Sequence, residues 1–289
     1  MSAVPLGTPP VAPHPAPTNG AASAVAGCLT AAAAVATLAY LAAAIRLRRR
    51  GDLWPRHRDA CGVAGGAALT VTALAVDPHA GFTAHMAHHL VLAMLAPLLW
   101  ALARPVTLAL RVLPPGPARR GLVAVAHCRP VGWLLWPPTA ALLDVGGLWL
   151  LYRTGLLAST HQRPVVHALV HLHLLLAGGL FTGAVCRLDP SRHRCGLPLR
   201  GGTLLVAGAA HAVLARTLYA TPPPGTAYPV ADLRAGAQLM YYGGDLVELA
   251  LAGVLAAQWY TATGRARRRR ARRAAGAAAT AAGRPRWSA

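Results

Sequence analysis

Apolar residues run along this chain in seven blocks, at about 21–45, 60–76, 82–103, 131–152, 165–186, 201–219 and 233–259. A helix of about 20 apolar residues crosses the roughly 30 Å hydrocarbon core of a bilayer. The pattern therefore predicts an all-α integral membrane protein with seven transmembrane helices. The second block is the shortest. Outside this membrane domain of residues 21–260 lie two segments expected to be disordered, a Pro-rich N-terminus (1–20) and an Arg-rich tail (261–289).

Charge in the connections orients the bundle. Residues 1–20 hold no arginine, 46–58 hold six, 77–81 none, 104–129 five, 153–164 two, 187–200 four, 220–232 none, and the tail beyond 260 nine. Cytoplasmic loops are the Arg-rich ones, so the N-terminus is expected outside and the C-terminus in the cytoplasm. The start of the chain lacks the basic n-region of a signal peptide, and the first block reads as an uncleaved helix.

Composition agrees: 55% of residues are hydrophobic and 12% charged. The formal charge of +20 comes entirely from arginine. These arginines are dispersed among short connections rather than gathered on one domain face, which argues against nucleic acid as a partner. The tail is instead suited to membrane lipid head groups. Five cysteines form no C-x-x-C pair and read as free thiols. No phosphate-binding loop, nucleophile elbow or H-E-x-x-H motif is present, which disfavours an ATP-driven pump or a hydrolase.

Candidate chemistry lies in the histidines. At 100° per residue, His85 and His89 share a helix face with His88 beside them, and His167 and His171 form a second i, i+4 pair. Both sets lie within about two turns of the same membrane surface, expected to be the outer one. His211, in the sixth block, falls at overlapping depth. His173 is rotated well away from His171 and can join them only if the helix is distorted. Imidazole in hydrocarbon is costly unless something partners it, and neutral imidazole is a common metal ligand. The milder reading is hydrogen bonding between helices.

Asp144, Asp245 and Glu248 also fall inside apolar blocks, where a carboxylate must be neutral, paired or coordinating. Asp245 and Glu248 share one side of a helix and could relay protons, orient a histidine or pair with Arg216 or Arg234. Met86, Met94 and Met240 are soft thioethers that suit Cu(I) or simply fill gaps. Gly62 with Gly66, and Gly179 with Gly183, offer faces for close helix packing. Pro97 is expected to kink the third helix below its histidines.

The run Phe82-Thr83-Ala84-His85-Met86-Ala87-His88-His89, then Ala96-Pro97-Leu98-Leu99 and Pro105-Val106-Thr107-Leu108-Ala109-Leu110-Arg111, resembles the CtaG-type cytochrome c oxidase assembly factors. Their pattern is F-(S/T)-A-H-M-x-Q-H, A-P-x-L-L and P-V-T-L-x-L-R, so His88 stands where glutamine is usual. The resemblance continues through His167, His171, His173, Phe181 and Leu188-Asp189-Pro190, and through His211. Asp232-Leu233-Arg234-Ala235-Gly236 is similar to the family's D-Q-(R/Q)-x-G, while Tyr241 and Asp245 stand where Trp and Glu are common. In some family members Asn replaces His171 whereas His167 and His173 match, so all three remain candidates.

This resemblance implies a non-enzymatic role in maturing haem-copper oxidases at the bacterial plasma membrane. Its partners would be oxidase subunits, with a copper chaperone as a candidate donor. Copper is the implied cargo, on His85, His88, His89, His167, His171, His173 and His211, with Met86, Asp232, Met240, Asp245 and Glu248 around them or on a proton or metal path. Two alternatives stay open: a membrane cytochrome with b-type haem on opposed histidines, and a copper or proton-coupled transporter using Asp245 and Glu248.

Overall fold

The computed structural model describes residues 20–75, 80–190 and 195–282. Among them there is helix and connection but no strand. The elements are α1 (Gly20–Arg49), α2 (Arg56–Ala75), α3 (Phe82–His89), a π-helical stretch (Leu90–Leu95), α4 (Ala96–Ala103), α5 (Pro105–Val112) and α6 (Pro117–His127). Then follow α7 (Arg129–Leu134), α8 (Pro137–Arg153), α9 (Leu156–Gln162), α10 (Pro164–Cys186), α11 (Leu197–Ala220) and α12 (Val230–Ala282).

Among the described residues, five helical segments are long and apolar enough to cross a membrane: Thr30–Arg49, Phe82–Val112, Pro164–Cys186, Leu197–Ala220 and Val230–Arg268. A sixth is α8 with α9 if they form one span bent by 75°. The second block fails this test because Arg56, Arg58 and Asp59 occupy the first turn of the 20-residue α2. That helix packs along α1, with Gly62 against the Tyr40 ring and Gly66 against Thr37.

The fourth block, expected as one helix over 131–152, is broken. Pro137 and Pro138 supply no N–H, and the residue before a proline is driven out of helical geometry, so Trp136 is extended at ψ 124°. The last helix, by contrast, passes its expected end at 259 and continues through the Arg-rich tail to Ala282. Alanine and arginine are strong helix formers, and the composition that suggested a solvated tail also propagates a helix. The Pro-rich segment 1–19 lies outside the described residues.

Pro97 has its effect upstream rather than as a simple kink. It cannot donate to the carbonyl of Ala93 four residues back, and the helix widens there, with Ala96 N–H donating to Val91 O five residues away. Gly178 of α10 lies directly against the freed Ala93 carbonyl, where a Cβ atom would collide with backbone. Close approach of α10 to the helix bearing His85, His88 and His89 thus depends on a glycine at 178.

Two carboxylates tie distant motifs together. Asp232, at the start of α12, accepts hydrogen bonds from the Phe82 N–H at 2.6 Å and the Thr83 N–H at 3.1 Å, capping α3. Asp189 does the same for α5, taking the Val106 N–H at 3.3 Å and the Thr107 N–H at 2.8 Å. Buried Arg200 donates to Val185 O at 2.9 Å, and Gln258 donates to Cys186 O at 2.6 Å, closing the C-terminus of α10.

Candidate functional site

The capped start of α3, the start of α10 and the ends of α8 and α11 meet at one end of the bundle. One helical turn into α3, His85 is buried, and its Nε2 lies 3.0 Å from the hydroxyl of Tyr152 on α8. His88 is buried on the neighbouring sector, with its ring edge-on to His171 at a centroid separation of 4.8 Å. His171 in turn is 4.0 Å from the His167 ring and shares a 2.8 Å hydrogen bond through Nδ1 with the His167 carbonyl.

His89 points the other way, toward α11. Its ring is 6.3 Å from that of His211, and both are buried. Neither ring nitrogen of His89 has a hydrogen-bond partner, nor does His211 Nε2. An unpaired buried polar atom costs about 1–3 kcal/mol, so three such atoms on two neighbouring buried rings mark the pair as a candidate site. On its other side, His211 Nδ1 faces Glu248 Oε1 at 3.5 Å. Gly244 and Gly208 give these side chains room, since a Cβ at either would strike His211 or Glu248 respectively. Asp144 is buried deeper, with its Oδ1 unpartnered.

The other candidates sort differently. His173 turns away from the cluster, with Nε2 3.1 Å from the Leu143 carbonyl of α8, and is exposed. Met86 and Met240 are fully buried in the apolar core with Phe82, Tyr152, Leu214 and Leu218. Asp232 serves as the α3 cap described above, and Asp245 is half-buried on α12. Among the described residues, no three His, Cys, Asp or Glu side chains stand close enough together to hold one ion. The closely opposed rings form pairs rather than a closed cage.

Sequence reasoning missed Tyr152 and the capping role of Asp189. A tyrosine near the end of an apolar block is the ordinary membrane-interface pattern and carries no signal of a buried contact. Asp189 was visible only as part of a turn.

Fold and site together define a multi-pass helical membrane protein that gathers five buried histidines, His85, His88, His89, His171 and His211, inside one bundle. The chain belongs to the cytochrome c oxidase caa3 assembly factor family (Caa3_CtaG), whose family model matches residues 38–262. It is similar to uncharacterised proteins of Mycobacterium bovis and Mycobacterium tuberculosis, each 37% identical over 191 residues, which is 63% of this chain and 29% of theirs. A Mycobacterium leprae protein is 30% identical over 251 residues, 79% of this chain and 38% of its own. The chain therefore spans well under half the length of these curated relatives. No solved structure matches it.

Proposed function

We propose that this assembly factor carries copper within the membrane to the haem-copper oxidase, as cargo held by imidazoles of α3, α10 and α11. The observation that carries this reading is the His89–His211 pair, two buried rings 6.3 Å apart with three ring nitrogens lacking partners. Two metal–nitrogen bonds of about 2 Å plus a ring radius on each side span a similar distance. Two imidazoles without thiolate make a modest site, suited to an ion that must be released as well as bound. His88, His167 and His171 form the adjoining group through which an ion enters or leaves.

In this reading the chain crosses the bacterial plasma membrane seven times, with α2 as the short second span and α8 as the fourth. The N-terminus is outside and the histidine end faces outward, because the Arg-poor connections lie at that end. The role is non-catalytic, and the partners are oxidase subunits receiving the ion.

Metal analysis of detergent-purified protein after copper loading, alongside oxidase activity in the same cells, tests this. Wild type is expected to retain copper, and His89→Ala and His211→Ala to lose it together with oxidase maturation. Unchanged copper content in both variants overturns the proposal. A Soret band in purified wild type would assign the pair to haem instead.

A further inference from the structure

Twenty-six of the 28 arginines lie in connections and the tail; the two inside apolar blocks are Arg216 and Arg234. Both sit at the histidine end, where connections are Arg-poor. Arg216 precedes the end of α11 at Ala220 by four residues, and Arg234 follows the start of α12 at Val230 by four, about 6 Å of helical rise in each case. With these helix ends at the membrane surface, that depth is the level of lipid head groups.

Between them, α11 and α12 enclose a groove of about 440 Å³ lined by Ala215, Arg216, Tyr219, Ala237, Gln238, Tyr241 and Tyr242. The Arg234 guanidinium lies over the ring of Tyr219, a groove residue, at 5.3 Å, which holds this second positive charge beside the groove. Among the described residues neither arginine forms an ion pair. Asp232, next to Arg234 in sequence, is committed to the α3 backbone. Asp245 lies about two turns further along α12 than Gln238. Below the groove, Tyr242, Leu246 and Leu249 continue at i, i+4 and i+7 as an exposed apolar stripe.

We propose that this groove is a binding site for an anionic phospholipid, with the phosphate between Arg216 and Arg234 and an acyl chain along the stripe. Two unpaired guanidinium groups recognise the phosphate through paired N–H donors. The adjoining apolar stripe selects a lipid over a free anion. Tyr219 and Tyr241 frame the head group where amphipathic rings favour the interface. The site lies beside, not within, the His89–His211 pair, and it stands whether or not that pair binds copper.

The test uses the full chain in nanodiscs of phosphatidylcholine alone and of phosphatidylcholine with phosphatidylglycerol. Native mass spectrometry of wild type from the mixed discs is expected to show phosphatidylglycerol retained roughly tenfold over its bulk share. The thermal midpoint should rise in the mixed discs. R216Q/R234Q is expected to lose both effects while matching wild type in phosphatidylcholine; R153Q/R163Q, at the same end but outside the groove, keeps them. Equal retention of the two lipids by wild type overturns the proposal, a readout that needs no variant to fold. So does equal loss in both double variants, or the same midpoint rise from inorganic phosphate alone.

Discussion

The hydroxyl of Tyr152 lies 3.0 Å from Nε2 of His85, joining the end of α8 to the first turn of α3 with both side chains buried. With the phenol as donor, Nε2 accepts and the imidazole proton resides on Nδ1. Tyr152 also lies edge-on to the His89 ring at 6.2 Å, so one phenol hydrogen-bonds one histidine and packs beside a second.

Tyr152→Phe keeps the ring and removes the hydrogen bond. The expected cost is about 1 kcal/mol, read as a lower thermal midpoint in detergent, with copper content maintained by the His89–His211 pair. Tyr152→Ala should cost about 3–5 kcal/mol, because it empties a fully buried volume between α3 and α8. Equal midpoints for the two variants would show that packing contributes nothing.

Asp232 and Asp189 should behave as helix caps. Replacing either by alanine is expected to lower stability by about 0.5–2 kcal/mol, with asparagine, which still accepts from N–H, costing less. Thermal melts of the four variants check the order. Asp232→Ala should in addition speed amide exchange at Phe82 and Thr83, which lose their acceptor.

These two caps show what the sequence could and could not reveal. Hydrophobic runs marked the apolar blocks, because each must satisfy its own backbone in lipid and therefore forms helix. The wheel put His85, His88 and His89 in one sector, yet the fold divides them, with His88 facing α10 and His89 facing α11. Periodicity gives a residue's direction from its own axis and says nothing of which neighbour waits there. The family resemblance places Asp232 among candidates for a metal or proton path, but its carboxylate is taken up by the Phe82 and Thr83 amides, about 150 residues away in sequence. Tyr152 was invisible for the same reason. The break before Pro137 was legible in principle and was overridden by the apolar character of the block.

Gly178 and Gly179, adjacent in sequence, should respond oppositely to alanine. A Cβ at 178 would enter the Ala93 backbone carbonyl, which cannot rotate aside, whereas a Cβ at 179 meets nothing within 4 Å. Gly178→Ala is expected to destabilise by about 1–3 kcal/mol and to loosen α10 from the histidine-bearing helix. Gly179→Ala should be neutral or stabilising by up to about 1 kcal/mol, since alanine is the better helix former. Thermal midpoints decide, and a tolerated Gly178→Ala would mean that the α10 contact is not close-packed.

His171 and His173 provide the sharpest division within one helix. Two residues are about 200° apart on an α-helix, so the two rings cannot serve one centre while α10 is regular. The fold resolves which faces inward: His171 is 4.8 Å from His88 and 4.0 Å from His167, whereas His173 lies against α8 at the Leu143 carbonyl, beside Gly147. His171→Ala is therefore expected to lower copper retention and oxidase maturation. His173→Ala should lose one hydrogen bond, about 1 kcal/mol or less at an exposed site, and leave both functions intact. His173→Gln, which can still donate to Leu143 O, should recover even that stability. The reverse order, with maturation lost in His173→Ala and kept in His171→Ala, would mean that the functional face of α10 is turned toward α8 and that the histidine group centred on His88 is structural.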